Sequence, residues 1–263
     1  MRFTGSVPAN YERYMVPLLF RPYAEELAAR ARALQPRRIL ETAAGTGVVT
    51  GALVEALPDA QIVATDLNQA MLDVAATRVA SPNVSLLQAD ALALPFEDSS
   101  FDLVVCQFGV MFYPDKVQGN AEARRVLREG GQYLLAIWDR IERNELSRLA
   151  HETMERQFPD NPPMFMKRGP FSYYDCETIK RDLRAAGFGS VEIETVERKS
   201  RSGSAEDAAR GLTYGSPMGI ELEDYGPGAL DRVFEEFSRA ARTYESPAGF
   251  DAPMAAHIVV ATR

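Results

Sequence analysis

The residues best suited to chemistry lie in the segment Glu41-Thr42-Ala43-Ala44-Gly45-Thr46-Gly47, between the apolar pair Ile39-Leu40 and a helical pattern. Glycine at such a turn lets a ligand approach the backbone closely. In an open α/β sheet, ligands bind at the carboxyl ends of the strands, and the first strand-to-helix turn faces that crevice. The segment is therefore a candidate binding loop, although a glycine pair alone is also what a tight turn needs.

A dinucleotide such as NAD is one ligand that this turn could hold. Its fingerprint ends in a third glycine or an alanine, which packs the helix against its strand. The chain has Gly45 and Gly47 but places Thr50 at that third position, and it has no Tyr-x-x-x-Lys pair. An NAD-dependent dehydrogenase is therefore an alternative and not the first interpretation.

The elements that position this turn follow from the apolar pattern. Seven short runs have the composition of buried strands: 37–41, 61–65, 84–88, 101–107, 133–138, 191–196 and 257–261. Helical patterns separate the first five runs, except that a polar linker joins the third to the fourth, and Gly130-Gly131 is expected to close the helix before the fifth strand. The alternation predicts an α/β fold, a Rossmann-like, doubly wound, mostly parallel seven-stranded sheet with helical lid insertions.

Composition excludes several classes of function. The chain has 29 Lys and Arg against 37 Asp and Glu, whereas phosphate-backbone binding needs clustered cations, so we expect no nucleic-acid partner. With only His151 and His257, an imidazole-rich metal site is excluded, and we predict no metal. Cys106 and Cys176 form no CxxC motif, which favours the reducing cytoplasm. No apolar run approaches the ~20 residues that cross a bilayer, and the N-terminus lacks the apolar part of a signal peptide, so we expect a cytoplasmic protein without membrane insertion.

The turn resembles the first motif of the class I S-adenosylmethionine-dependent methyltransferases, in which an acid precedes x-Gly-x-Gly-x-Gly. Here the motif is E-T-A-A-G-T-G, with Ala43 in place of the first glycine. Similar matches follow in the family's order at T-D-L-N (65–68), Q-A-D-A-L-A-L-P-F (88–96), S-F-D-L-V-V-C-Q-F (100–108) and R-V-L-R-E-G-G-Q-Y-L (125–134). The resemblance covers residues 37 to 138 and is strongest to the small-molecule branch that includes quinone-biosynthesis methyltransferases.

The resemblance implies that S-adenosylmethionine is the cofactor and S-adenosylhomocysteine its product. Asp66 would accept from both ribose hydroxyls, a role that suits an ionised carboxylate because it only accepts hydrogen bonds. Asp90 would accept from the adenine amino group, and the Ala91 amide is the matching position beside it. Met71 would border the adenine, and Gln107 and Phe108 would lie beneath the methionine part. The predicted cofactor residues are Tyr14, Glu41, Ala43, Gly45, Gly47, Asp66, Leu67, Met71, Asp90, Ala91, Gln107 and Phe108.

Methionine and aromatic residues are candidates for the pocket of the methyl acceptor, since they suit adaptable apolar recognition. We predict Tyr11, Met111, Phe165 and Phe171 for that pocket. His151 is a candidate general base, but no catalytic residue is assigned from the sequence.

The chain is therefore interpreted as an S-adenosylmethionine-dependent methyltransferase that transfers a methyl group to an O, N or C atom of a small molecule. A non-catalytic cofactor-binding protein is an alternative of another class. A nucleic-acid methyltransferase is disfavoured because Gln107-Phe108-Gly109-Val110 stands where an Asn-Pro-Pro-Tyr type of motif is expected. A monomer and a homodimer are both compatible with this architecture.

We predict four segments along the chain. An N-terminal helical cover occupies 1–36, and the cofactor-binding Rossmann-like core occupies 37–139. A lid or helical insertion follows at 140–187. The end of the sheet occupies 188–263 and carries a helical insertion at 203–250.

Overall fold

The computed structural model describes residues 10–263 of the chain. Its strands are β1 (Arg38–Glu41), β2 (Gln61–Asp66), β3 (Val84–Gln88), β4 (Phe101–Gln107), β5 (Leu127–Trp138), β6 (Ser190–Ser202), β7 (Glu245–Ser246) and β8 (Gly249–Thr262). They form one sheet in the order β3-β2-β1-β4-β5-β8-β6, with β7 paired to β8. The first five strands pair in parallel, and β8 runs antiparallel to β5. The predicted α/β fold is confirmed, and β7 adds a two-residue strand to the seven predicted ones.

The helices cover most of the remaining described chain. A π-helical segment at Tyr11–Phe20 continues directly into α1 (Arg21–Leu34). The others are α2 (Val48–Ala56), α3 (Gln69–Arg78), α4 (Lys116–Val126), α5 (Glu145–Gln157), α6 (Phe165–Arg168), α7 (Cys176–Ala185), α8 (Ala205–Tyr214), α9 (Pro217–Glu223) and α10 (Ala229–Ala241). Within residues 10–263, none of these helices combines the length and the apolar character that crossing a bilayer requires.

The expected helix end at Gly130-Gly131 is wrong. Helix α4 ends at Val126, and both glycines lie inside β5. The pairing of β4 with β5 shifts between Phe101 and Leu103, and Gly130 takes a φ of 71° at this irregularity. The glycines therefore allow a bulge in a strand. A glycine pair in the sequence is compatible with a bulge as well as with a helix end.

The chain forms two compact units. The sheet unit comprises Tyr23–Trp138, Tyr173–Val196 and Ala256–Arg263, and its core contains the buried residues Ile39 and Val104. The helical unit comprises the described residues up to Pro22, together with Asp139–Ser172 and Glu197–Ala255. The predicted division at 1–36, 37–139, 140–187 and 188–263 stays a prediction, and residues 1–9 lie outside the described residues.

Candidate functional site

The turn after β1 follows a left-handed path at alternate residues. Ala43, Gly45 and Gly47 have φ values of 54°, 56° and 79°. A Cβ on Gly47 would lie 3.1 Å from side-chain atoms of Ala75 on α3 and of Val79 just after it, so both the conformation and the tight space favour glycine here. The turn therefore starts α2 tightly against its neighbouring helix.

Asp66, at the end of β2, connects this turn to the next one. Its Oδ2 accepts from the Gly45 N–H at 2.9 Å, and its Oδ1 accepts from the Asn68 N–H at 2.8 Å. Burial raises the pKa of Asp66, and these two amide hydrogen bonds oppose the rise. An ionised carboxylate offers about four acceptor positions. The two amides orient the group and leave it acceptor capacity for a ligand with neighbouring hydroxyls.

Glu41 lies deeper, with 1% of its surface exposed. Its Oε2 accepts from the Thr50 hydroxyl at 2.6 Å. Burial raises the pKa of Glu41 to about 8, opposed by the Thr50 hydrogen bond and assisted by the charge of Asp66. Thr50, which departs from the dinucleotide fingerprint, thus has a polar role that the fingerprint comparison did not indicate.

The turns after β2 and β3 contain both exposed and buried residues among those predicted to bind the cofactor. Leu67 is 68% exposed, whereas Met71 on α3 is buried. Asp90 is exposed and accepts from the Leu92 N–H at 2.9 Å, which closes a local turn. Ala91 follows it, partly exposed. The carboxyl ends of β1, β2 and β3 therefore place these predicted residues at one edge of the sheet, and their individual contacts with adenine stay predictions.

The end of β4 carries a backbone outlier. Phe108 has a φ of 52°, which is uncommon for a residue with a bulky side chain. Its ring stacks on Trp138 with centroids 3.7 Å apart and meets Tyr23 edge-on at 5.5 Å. Gln107 precedes it, partly exposed. Because the Phe108 ring is buried in this aromatic cluster, its predicted place beneath the methionine part of the cofactor remains a prediction.

The turn after β1 contacts β4 and the segment that follows β4, and the sequence motifs did not predict these contacts. The Thr42 N–H donates to the Val105 carbonyl at 2.9 Å, and the Tyr113 hydroxyl donates to Thr42 Oγ1 at 3.2 Å. Gly109 lies against Ala43. No local pattern marks these pairs, because each brings together residues from distant parts of the chain.

The remaining predicted residues are divided between the two compact units. Met111 belongs to the sheet unit and is buried after β4. The other four belong to the helical unit: Tyr11, Tyr14, Phe165 and Phe171. There the Tyr11 ring stacks on Phe20 at 5.2 Å, and the Arg13 guanidinium lies 5.1 Å from the centroid of the Tyr14 ring. Phe171 is buried and the Phe165 N–H donates to Glu221, so their roles toward a ligand stay predictions.

His151 also belongs to the helical unit, where it is 2% exposed. Its Nε2 lies 3.0 Å from Glu155 Oε1, and Lys167 approaches the same oxygen. Burial and then the charge of Lys167 lower the pKa of His151, which favours a neutral imidazole. Its role as a general base stays a prediction.

The chemistry of the sheet-unit turns fits a nucleoside-type cofactor. Two backbone amides orient Asp66 and leave it acceptor capacity, the exposed Leu67 follows it with an apolar surface, and the glycine turn allows close approach to the backbone. These residues supply binding and orientation, whereas no pair of polar groups among them forms a nucleophile with its base.

Comparison with known proteins agrees with this arrangement. A family described as a methyltransferase domain matches residues 39–131. Demethylmenaquinone methyltransferase of Deinococcus radiodurans is 41% identical over 117 residues, which cover 44% of this chain and 48% of that protein. The protein of the same name from Clavibacter sepedonicus is 34% identical over 177 residues, 62% of this chain and 71% of that protein. The match thus spans about half the length of the first relative and more of the second.

The fold is also shared with a solved structure. Phosphoethanolamine N-methyltransferase 2 of Haemonchus contortus, in complex with phosphomonomethylethanolamine and S-adenosylhomocysteine, superimposes with a TM-score of 0.57 at 18% identity. The alignment covers 90% of this chain and 52% of that one. At this identity the likeness concerns the fold alone.

Proposed function

This chain belongs to the S-adenosylmethionine-dependent methyltransferases, and from this premise we propose that it transfers a methyl group to the ring of a small quinone-type molecule in its reduced, hydroxylated form. The observation that supports cofactor binding is the Asp66 carboxylate, which two backbone amides hold at the edge where the five parallel strands end. The dehydrogenase alternative receives no support from the relatives described above.

The residues of this chain would act mainly by binding and orientation. Asp66 would accept from the ribose hydroxyls, and the turn from Glu41 to Gly47 would let the cofactor approach the backbone. The bound cofactor supplies an activated methyl group on a sulfonium that leaves readily. Holding the acceptor atom in line with that methyl group contributes several kcal/mol through proximity. A phenolic ring activates its own neighbouring carbon, so this acceptor class makes the smallest demand on a protein base.

The acceptor class rests on the names of the relatives. Two of them are named demethylmenaquinone methyltransferase, and a third, from Shewanella frigidimarina, is named a ubiquinone/menaquinone biosynthesis C-methyltransferase. We extend that class to this chain because the matched residues include the first turn and the strands that carry it. A cytoplasmic location and a monomeric or homodimeric state stay predictions.

A turnover assay tests the proposal. The purified protein is incubated with S-adenosylmethionine labelled in its methyl group and with a chemically reduced, short-tailed demethylmenaquinone, and labelled product is counted. We expect labelled methylated quinone from the unsubstituted chain and from Asp73→Ala, which removes an exposed carboxylate on α3. Asp66→Ala should lose most of this activity. Transfer to amine or simple phenol acceptors, with none to the quinol, would contradict the acceptor class.

A further inference from the structure

Gly109 is the second residue after β4. Its backbone conformation does not require glycine. Its φ of −101° and ψ of −43° are accessible to any L-residue. A Cβ built there would nevertheless lie 2.4 Å from the Ala43 Cβ and 2.9 Å from the Cys106 Sγ. Such distances are far below van der Waals contact between carbon atoms. Space, and not conformation, therefore requires glycine at this position.

The atom that fills this space is the methyl group of Ala43, the residue that replaces the first glycine of the motif. Ala43 holds a φ of 54°, a region that alanine adopts with difficulty and glycine freely. The methyl group lies against Gly109. The contact has room for one Cβ, which Ala43 supplies and Gly109 omits.

A shift of Ala43 would be transmitted to the cofactor residues. The neighbouring Ala44 N–H donates to the Thr65 carbonyl at 2.9 Å, and the Gly45 N–H donates to Asp66 at 2.9 Å. On the other side, the hydrogen bond between Tyr113 and Thr42 ties the turn to the segment that contains Gly109. The turn is therefore hydrogen-bonded to the end of β2 on one side and to Tyr113 on the other. A second Cβ between Ala43 and Gly109 would disturb one of these sets of hydrogen bonds.

We propose that Ala43 and Gly109 form a complementary pair in which Gly109 positions the binding turn, and with it the Gly45 amide that orients Asp66. This inference rests on the proposed cofactor function. It makes Gly109 a positioning residue for S-adenosylmethionine, and it makes the alanine in the motif dependent on a glycine after β4.

A double-mutant cycle tests the pair. Because Cys106 would also meet the new methyl group, the cycle is made in a Cys106→Ala background, to which Gly109→Ala, Ala43→Gly, or both are added. The readouts are the Kd of S-adenosylhomocysteine by calorimetry, and KM and kcat with the quinol acceptor. Gly51→Ala is the matched control, since its Cβ would meet nothing within 4 Å.

We expect Gly109→Ala to raise the Kd and the KM for the cofactor about tenfold or more, with a smaller change in kcat. In a background that already carries Ala43→Gly, adding Gly109→Ala should raise the Kd less than about threefold. An unchanged Kd in Gly109→Ala, or a double variant that binds no better than it, would overturn the pair.

Two further results are also decisive. If Gly109→Ala is insoluble, recovery of soluble yield and Tm by Ala43→Gly supports the pair, and no recovery overturns it. If the folded, unsubstituted chain does not bind S-adenosylhomocysteine, the proposed function fails first and the role of the pair fails with it. Normal binding without rescue overturns the pair alone.

Discussion

Two carboxylates beside the turn after β1 have different surroundings and therefore different roles. Asp66 is partly exposed and is hydrogen-bonded by two amides, which favour its charged form. Glu41 is buried and accepts a hydrogen bond from the Thr50 hydroxyl. Asp66, the residue proposed to bind the ribose hydroxyls, is thus partly exposed, whereas Glu41 is buried and hydrogen-bonded to Thr50 at the start of α2.

The titration of Glu41 should appear in the pH dependence of stability. Its pKa is about 8 in the folded protein against an ordinary value of 4.5. Between these values the folded state keeps a proton that the unfolded chain has released. The free energy of unfolding therefore falls as pH rises through this window, by up to about 1.4 kcal/mol per pH unit.

Urea unfolding of the unsubstituted chain and of Glu41→Gln, at several pH values from about 5 to 8, measures this effect. Glu41→Gln should lack that part of the pH slope, whereas Asp73→Asn should keep it. Parallel pH profiles for the unsubstituted chain and Glu41→Gln would show that Glu41 titrates normally.

At the scale of the element, helix α2 follows one glycine and contains another, and the two differ in conformation and in surroundings. Gly47 precedes the helix at a φ of 79° and touches α3, whereas Gly51 lies inside it in open space. Gly47→Ala should lower the free energy of unfolding by about 1–3 kcal/mol through backbone strain. Gly51→Ala should raise it by about 0.5–1 kcal/mol through helix propensity. Chemical denaturation of both variants checks the prediction, which is wrong if the two substitutions shift stability in the same direction.

The segment before α6 in the helical unit is held by one carboxylate. The Glu221 side chain accepts from the Met164 and Phe165 N–H groups at 3.0 and 2.9 Å. Glu221→Ala removes both acceptors, so the segment should open more readily. We expect trypsin to cleave after Lys167 or Arg168 about fivefold faster, which corresponds to about 1 kcal/mol of local stability.

The matched control is Glu223→Ala on the same helix, whose side chain is exposed. It should leave the cleavage rate unchanged. Equal rates in both variants would mean that Glu221 does not hold the segment.

Strands β6 and β8 are longer than the apolar pattern predicts. The apolar pattern predicts 191–196 and 257–261, but the strands span Ser190–Ser202 and Gly249–Thr262. Residues 197–202 are mostly charged or polar, and β6 lies at the end of the sheet order. An edge strand exposes much of its surface to water, so it lacks the apolar alternation that marks a buried strand.

For the whole molecule, the sequence predicts the features that depend on residues close together in the chain. The sheet and its turns follow from apolar runs, and the likeness to methyltransferases follows from motifs within those turns. The contact between Ala43 and Gly109 could not be predicted, because it depends on the close approach of two turns that are distant in sequence. The hydrogen bond from Thr50 to Glu41 was missed because the residue was compared only with a glycine fingerprint.

Cofactor binding should also stabilise the sheet unit as a whole. A ligand at a hundredfold its Kd adds about 2.7 kcal/mol to the free energy of unfolding if it binds only the folded state. We expect S-adenosylhomocysteine at that excess to raise the Tm by about 5–10 °C in a thermal scan. NADH at the same concentration should not change it. A Tm that rises with NADH instead would favour a dehydrogenase.

The proposal that Asp66 binds the ribose of the cofactor is tested most directly by calorimetry. S-adenosylhomocysteine is titrated into the unsubstituted chain, Asp66→Ala and Asp73→Ala. We expect one site in the unsubstituted chain and in Asp73→Ala. Asp66→Ala should bind at least about a hundredfold more weakly, since the two hydrogen bonds proposed between the ribose hydroxyls and the carboxylate are lost. Unchanged binding in Asp66→Ala, or no binding by the folded unsubstituted chain, would contradict it.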